Sequence, residues 1–431
     1  MQQPPPQPNL KLDDHGLELS LRFWLILVLT GITAGLVGGA MMRLLFFVEH
    51  TAWHYHSPLH FLDGVSASSA GTRVFNLALA GILVGVVGTL LHLIFGNSGG
   101  DVEGAIWFRF GRIPFVATIS KAVLAIVNVG LGTSLGRESP IKQAGGAIAS
   151  AMSRWAGLSP PQQQLLVACG VGAGMASAYN VPLGGALFAV EVLIGSMSLQ
   201  KILPALVASV VATAASWLFL ATDPIYTVPE FGTSLRLVAW AILVGPLFGL
   251  AAVAVVRMTA WGESIHLRGW KAVAAPMVIL TALGALAISY PQLLGNGKDI
   301  VEEAFKDHFT ISLLLVLPIL KLIATSGCLG GGARGGLFTP TMTIGALLGG
   351  VLGHVWSRYL PITAPGSFAV VGSCAMLAAA TRGPVSALVL MLELTRHVDA
   401  TMVPMLLATA GATLVAGRFE TRSIYSARAT A

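Results

Sequence analysis

Charge is what this sequence is short of. Of its 431 residues only 10% are Asp, Glu, Lys or Arg, against roughly 25% in an average soluble protein, while 55% are hydrophobic. A water-soluble globule could not cover that much apolar surface, so a soluble enzyme or binding domain is excluded as the class. Cysteine is scarce too: Cys169, Cys328 and Cys374 stand singly in apolar or glycine-rich stretches, with no spacing for a metal site or a disulfide framework. The formal charge of +6 is spread over flanks and loops, not gathered in a patch, which argues against a nucleic-acid surface. The first twenty residues, MQQPPPQPNLKLDDHGLELS, lack the basic, apolar and cleavage segments of a secretory signal and are expected to form a disordered tail.

Long apolar runs are what the chain has in their place: Leu21 to Ala40, Leu77 to Phe95, Leu235 to Val256, Ala272 to Ile288, and Ser312 to Leu322 with its neighbours. Runs of this length and composition predict an all-α polytopic membrane protein. Lys11 precedes the first run and Arg22 stands at its very start, and Arg418, Arg422 and Arg428 follow the last. The positive-inside tendency then puts both ends in the cytoplasm, with an even number of crossings.

Glycine (50) and proline (22) interrupt the apolar segments without clustering into linkers. Pieces such as Leu183 to Ile194 are too short for a span of about 20 residues, which predicts broken or re-entrant helices. Backbone groups freed at such breaks must be buried in protein or line a polar path. The polar stretch ATDPIYTVPEFGTSL divides the apolar sequence, giving an expected organisation of a tail (1–20), a first membrane repeat (21–220), a connecting loop (221–235) and a second repeat with a short C-terminal tail (236–431). The two halves are expected to be membrane repeats of inverted orientation with weak internal similarity.

Three breaks carry chemistry: GNSGGDVEGAIW (96–107), GTSLGRESP (132–140) and GGLFTP (335–340). A helix start bears unpaired N–H groups and about half a positive charge, so three starts pointed together would attract an anion without a formal cation. The competing reading of such glycines is close helix packing through small faces. Glu138 sharpens the choice, because a carboxylate at membrane depth costs about 2.5–3.5 kcal/mol on insertion scales. Beside an anion-attracting helix end it can act as a tethered anion that leaves when protonated, which is a gate. Arg137, the next residue along, points about 100° away on a helix and makes a poor partner. Lys142 is expected either to pair with Glu138 at i,i+4 or to be solvated. His50, His54, His56 and His60 read as a solvated loop in preference to a metal site, and Glu393 with Arg396 as a helix-end ion pair.

GRESP at 136–140, GGLFTP at 335–340 and SIYSA at 423–427 resemble signature stretches of the CLC family of chloride channels and proton-coupled chloride antiporters, in particular its bacterial members without cytoplasmic regulatory domains. The resemblance implies a CLC-like fold of two inverted repeats with broken helices, in the bacterial inner membrane. It also implies a homodimer with one pore per subunit, chloride as transported ligand and no cofactor. Position by position, Glu138 matches the gating glutamate, Leu337 and Phe338 the backbone amides facing the anion, Tyr425 the hydroxyl donor and Lys121 a pore-side lysine. The family's anion-binding serine falls on Asn97 in register, or on Ser98 with a slip of one residue. The inner proton-transfer glutamate of coupled antiporters, which follows the position of Glu191, is Val192 here. A glutamate-gated chloride channel is therefore expected. The alternatives are a chloride/proton antiporter using Glu191, or a fluoride-selective member. An enzyme is not expected, because no nucleophile with a placed base is recognisable.

Overall fold

The computed structural model describes residues 17–55, 61–96, 98–232, 234–265, 267–361, 364–396, 400–420 and 422–429. Among them all regular structure is helical, apart from a single antiparallel bridge between Gly136 and Gly336. The first half contains α1 (Leu21–Trp53), α2 (Phe61–Ala67), α3 (Ala70–Ile82), α4 (Gly88–Phe95), α5 (Val102–Phe108), α6 (Phe115–Gly130), α7 (Glu138–Trp155), α8 (Pro160–Tyr179), α9 (Pro182–Leu187) and α10 (Leu199–Ser216). The second contains α11 (Leu235–Glu263), α12 (Trp270–Ser289), α13 (Lys298–Phe305), α14 (Ile311–Gly330), α15 (Phe338–Ser357), α16 (Gly366–Thr381), α17 (Pro384–Thr395), α18 (Met402–Phe419) and α19 (Ser426–Ala429). Wider π-type turns at Leu83–Val87 and Phe188–Ile194 join α3 to α4 and extend α9.

Each apolar run expected from the sequence lies in a helix, and the helix starts follow local chemistry. The Ser20, Ser69 and Ser234 hydroxyls accept from the N–H groups of Phe23, Thr72 and Leu237 at the starts of α1, α3 and α11. Ser159 and Gln162 form a capping box with Pro160 at the first turn of α8. These contacts satisfy donors that the helix itself leaves open. Of the expected tail, residues 17–20 are ordered: Leu17 is buried, and the Glu18 carbonyl accepts from the Gln162 amide at 2.6 Å.

Among the described residues, eight helices or continuous helical stretches are long and apolar enough to cross a bilayer. Their outward faces are apolar as well, with Leu235, Leu243, Trp270 and Val278 all more than 60% exposed. A surface of that kind needs lipid or protein against it. Alternation of helices across the bilayer places the ends. At 29 residues, α11 is about 44 Å long, so the 221–234 segment and Glu263 lie on opposite faces. Arg428 pairs with Glu263, which puts the chain's end on the face opposite that segment.

The halves repeat each other. Laying residues 121–140 over 321–340 without a gap sets Lys121 on Lys321, Gly130 on Gly330, Gly132 on Gly332, Gly136 on Gly336 and Pro140 on Pro340. The structure honours each pairing. The Lys121 ammonium donates to the Gly96 and Ser98 carbonyls at 3.2 and 2.5 Å, and that of Lys321 to the Leu293 and Gly295 carbonyls at 3.1 and 2.9 Å. Gly132 and Gly332 both take positive φ, 107° and 83°. Close packing, the rival reading of the glycines, holds elsewhere: Gly145 lies against the Gly170 backbone, and Gly345 against that of Gly372.

Candidate anion site

Two helix starts meet at the centre of the molecule. Gly136 and Gly336 exchange N–H···O bonds of 2.7 Å in both directions, which brings the first turn of α7 against the first turn of α15. Glu138 opens α7, and its side chain turns back into the gap. One carboxylate oxygen accepts from the Phe338 N–H at 2.7 Å, and the other from the Tyr179 hydroxyl at 3.1 Å. Glu138 is 1% exposed. Any Cβ on Gly136 or Gly336 would run into it, so glycine at both positions is what lets it reach the helix end.

Both groups that meet the Glu138 carboxylate are donors, and each presents a hydrogen to one of its oxygens. Thr339 completes the set. Its hydroxyl lies 2.9 Å from that of Tyr179; with the Tyr179 proton directed at Glu138, the Thr339 proton points at the Tyr179 oxygen. The Arg137 guanidinium sits 5.1 Å over the Tyr179 ring, behind the site and not in it. Tyr179 and Thr339 are functional candidates that motif reading passes over. The available signal was a tyrosine closing an apolar helix just before Asn180, since a buried phenol needs a partner.

Lys142 neither pairs with Glu138 nor stands exposed to solvent, the two expectations for it. Its ammonium is 3.2 Å from a Glu103 oxygen on α5 and lies over the rings of Tyr425 and Phe188, at 4.2 and 4.8 Å from their centroids. Tyr425 is buried, its ring meets Phe188 edge-on at 5.5 Å, and its hydroxyl has no hydrogen-bond partner among the described residues. The segment carrying it is tied down by Ile424 N–H to the Ala380 carbonyl at 2.7 Å and by the Arg428–Glu263 pair.

The third glycine-rich break behaves differently from the other two. Asn97 lies outside the described residues. Ser98 is exposed, with its carbonyl held by Lys121. The start of α5 is closed by the chain itself, because the Asp101 carboxylate accepts from the Gly104 N–H at 2.8 Å. Leu337 is buried as the N-cap residue of α15.

Glu191 and Glu393 do reciprocal work. The Glu191 carboxylate accepts from the Val385 and Ser386 N–H groups at the start of α17, at 3.1 and 2.6 Å. Glu393 accepts from Leu183 and Gly184 at the start of α9, at 3.0 and 2.6 Å. The expected Glu393–Arg396 ion pair gives way to this capping; a left-handed backbone at Arg396 ends α17 and sends its guanidinium to the Thr222 carbonyl at 2.5 Å. Of the four histidines, His56 and His60 lie outside the described residues, and His50 stacks edge-on against Tyr55 at 4.8 Å.

A helical membrane chain with a buried carboxylate seated on the start of a broken helix has the build of a membrane anion transporter. Residues 100–417 match the family model described as voltage gated chloride channel, and the chain belongs to that family, the CLC family, in its bacterial form. It is 28% identical to an H(+)/Cl(-) exchange transporter ClcA of Cronobacter sakazakii over 94% of this chain and 89% of that protein. It is 32% identical to a ClcB-like protein of Ralstonia nicotianae over 76% of this chain and 78% of that one. The crystal structure of a slow cyanobacterial Cl⁻/H⁺ antiporter superposes with a TM-score of 0.81 at 23% identity, covering 95% and 97% of the two chains. The protein is thus an integral membrane anion transporter with the CLC fold.

Proposed function

We propose that this chain exchanges chloride against protons, with Glu138 as the protonatable gate. The observation that carries the reading is the Glu138 carboxylate seated on the Phe338 N–H at the start of α15, where a transported anion would bind. When ionised, the carboxylate holds the helix end and excludes the anion. When protonated, it loses its attraction to the N–H groups and yields the place. Each departure of the gate therefore takes up one proton, which is the elementary link between anion and proton movement.

This moves the balance away from the passive channel that Val192 favours. Support comes from the relatives named as H(+)/Cl(-) exchangers, which match more than nine-tenths of the chain. Val192, buried and apolar, remains the observation on the side of a channel. The decisive experiment uses purified protein in liposomes. A chloride gradient should drive measurable proton movement; Glu138→Gln should keep chloride flux and abolish proton movement. Chloride flux with no proton movement in the unaltered protein would overturn exchange in favour of the channel. Running chloride, nitrate and fluoride in parallel decides selectivity. The homodimer and the cytoplasmic placement of both ends belong to the same reading.

A further inference from the structure

Lys142 is a full cation buried next to a pathway otherwise built on partial charges. It lies one helical turn beyond Glu138, about 6 Å further along the axis of α7, with its side chain 4% exposed. Two aromatic rings and one carboxylate surround the ammonium. One ring is that of Tyr425, whose buried hydroxyl has no partner among the described residues. Left alone, such a cation would bind an anion too tightly to release it, and conduction requires release. Glu103 offsets the charge. At 18% side-chain exposure, Glu103 is the less buried member of the pair.

We propose that Lys142 is an anion-attracting group beneath the gate and Glu103 its competing counter-ion, so that a transported anion and the Glu103 carboxylate trade places on the Lys142 ammonium. The inference rests on the anion-transport reading but not on proton exchange. It gives the pathway two tethered carboxylates: Glu138 on a helix end, and Glu103 on a lysine. Anion affinity is then set by the contest between Glu103 and the anion, and protonating Glu103 tips it toward the anion. The charged and titratable groups facing Glu103 are Lys142 from α7, Tyr425 and Arg428 from the C-terminal segment, and Asp101 on its own element. Arg109 and Arg334 act one step further out, on Asp101. The cations among them favour an ionised Glu103, so the anion has to displace a charged competitor near neutral pH.

Equilibrium chloride binding to detergent-purified protein, followed by titration calorimetry, tests this whether or not protons are exchanged. Glu103→Gln should tighten chloride binding by about tenfold, and Lys142→Gln should weaken it by a similar factor. The double variant should match Lys142→Gln alone, because Glu103 acts through Lys142. Glu103→Gln should bind chloride more tightly than the unaltered protein at both about pH 5 and about pH 7.5, because the neighbouring cations favour an ionised Glu103 across that range. Unchanged affinity in Glu103→Gln, or the same tightening in the Lys142→Gln background, overturns the proposal. Loss of proton exchange with these binding shifts intact would sink only the exchanger reading.

Discussion

Glu138 has two donors, and they do unequal work. The Phe338 N–H belongs to a helix end and cannot leave; the Tyr179 hydroxyl can be removed by one atom. Tyr179→Phe keeps the ring that packs 5.8 Å from Phe338 and lies under Arg137. It deletes a hydrogen bond to a charged acceptor, typically about 1.5–3 kcal/mol. Without that donor the seated carboxylate is held by the Phe338 N–H alone, so anion flux in liposomes should rise and its pH profile should change. A pH profile identical to that of the unaltered protein would show that Tyr179 is a packing residue. Glu138→Gln cannot ionise at all and should flatten the profile. Arg137, its sequence neighbour, sits behind Tyr179, as the angular spacing of adjacent helical residues requires.

Among the elements, the short helices α9 and α17 depend on each other. Each begins with a proline and lends a glutamate to hold the other's start: Glu393 on α9 and Glu191 on α17. A carboxylate on a helix start contributes about 0.5–2 kcal/mol through its hydrogen bonds and the helix dipole. Glu191→Gln and Glu393→Gln should each lower the thermal midpoint in detergent by a few degrees and leave the coupling between anion and proton movement intact. Loss of proton coupling in Glu191→Gln alone would instead make Glu191 the proton station that the sequence suggested as an alternative. A harsher change is Lys321→Met, which strands the Leu293 and Gly295 carbonyls in a buried place. The unsatisfied acceptors should cost more than either cap, at about 1–3 kcal/mol per group.

For the whole molecule, the repeat has a consequence for labelling. Cys169, Cys328 and Cys374 are fully buried, so a membrane-impermeant maleimide should leave the folded unaltered protein unmodified. Cysteines placed at the exposed positions Glu230 and Arg418 should label from opposite sides of the membrane, because α11 separates the central segment from the face that carries the chain's end. Labelling of both from one side would refute the traced topology.

Composition alone placed this chain in the membrane, since lipid is the only solvent that tolerates helices apolar on every face. Local sequence also singled out Glu138, because glycine breaks beside an ionisable residue have few uses at membrane depth, and the resemblance to the CLC family added Leu337, Phe338 and Tyr425 as expectations. The repeat was legible in the gapless match of 121–140 on 321–340, but diluted by substitutions such as Phe338 opposite Glu138. Which carboxylate meets which donor was a different matter. Lys142 faces Glu103 and not Glu138, Glu393 caps α9 and not its own helix end, and Tyr179 reaches Glu138 across 41 residues. Partners of this kind are set by how helix starts from two inverted halves converge, a distance of closest approach that no spacing along one chain encodes.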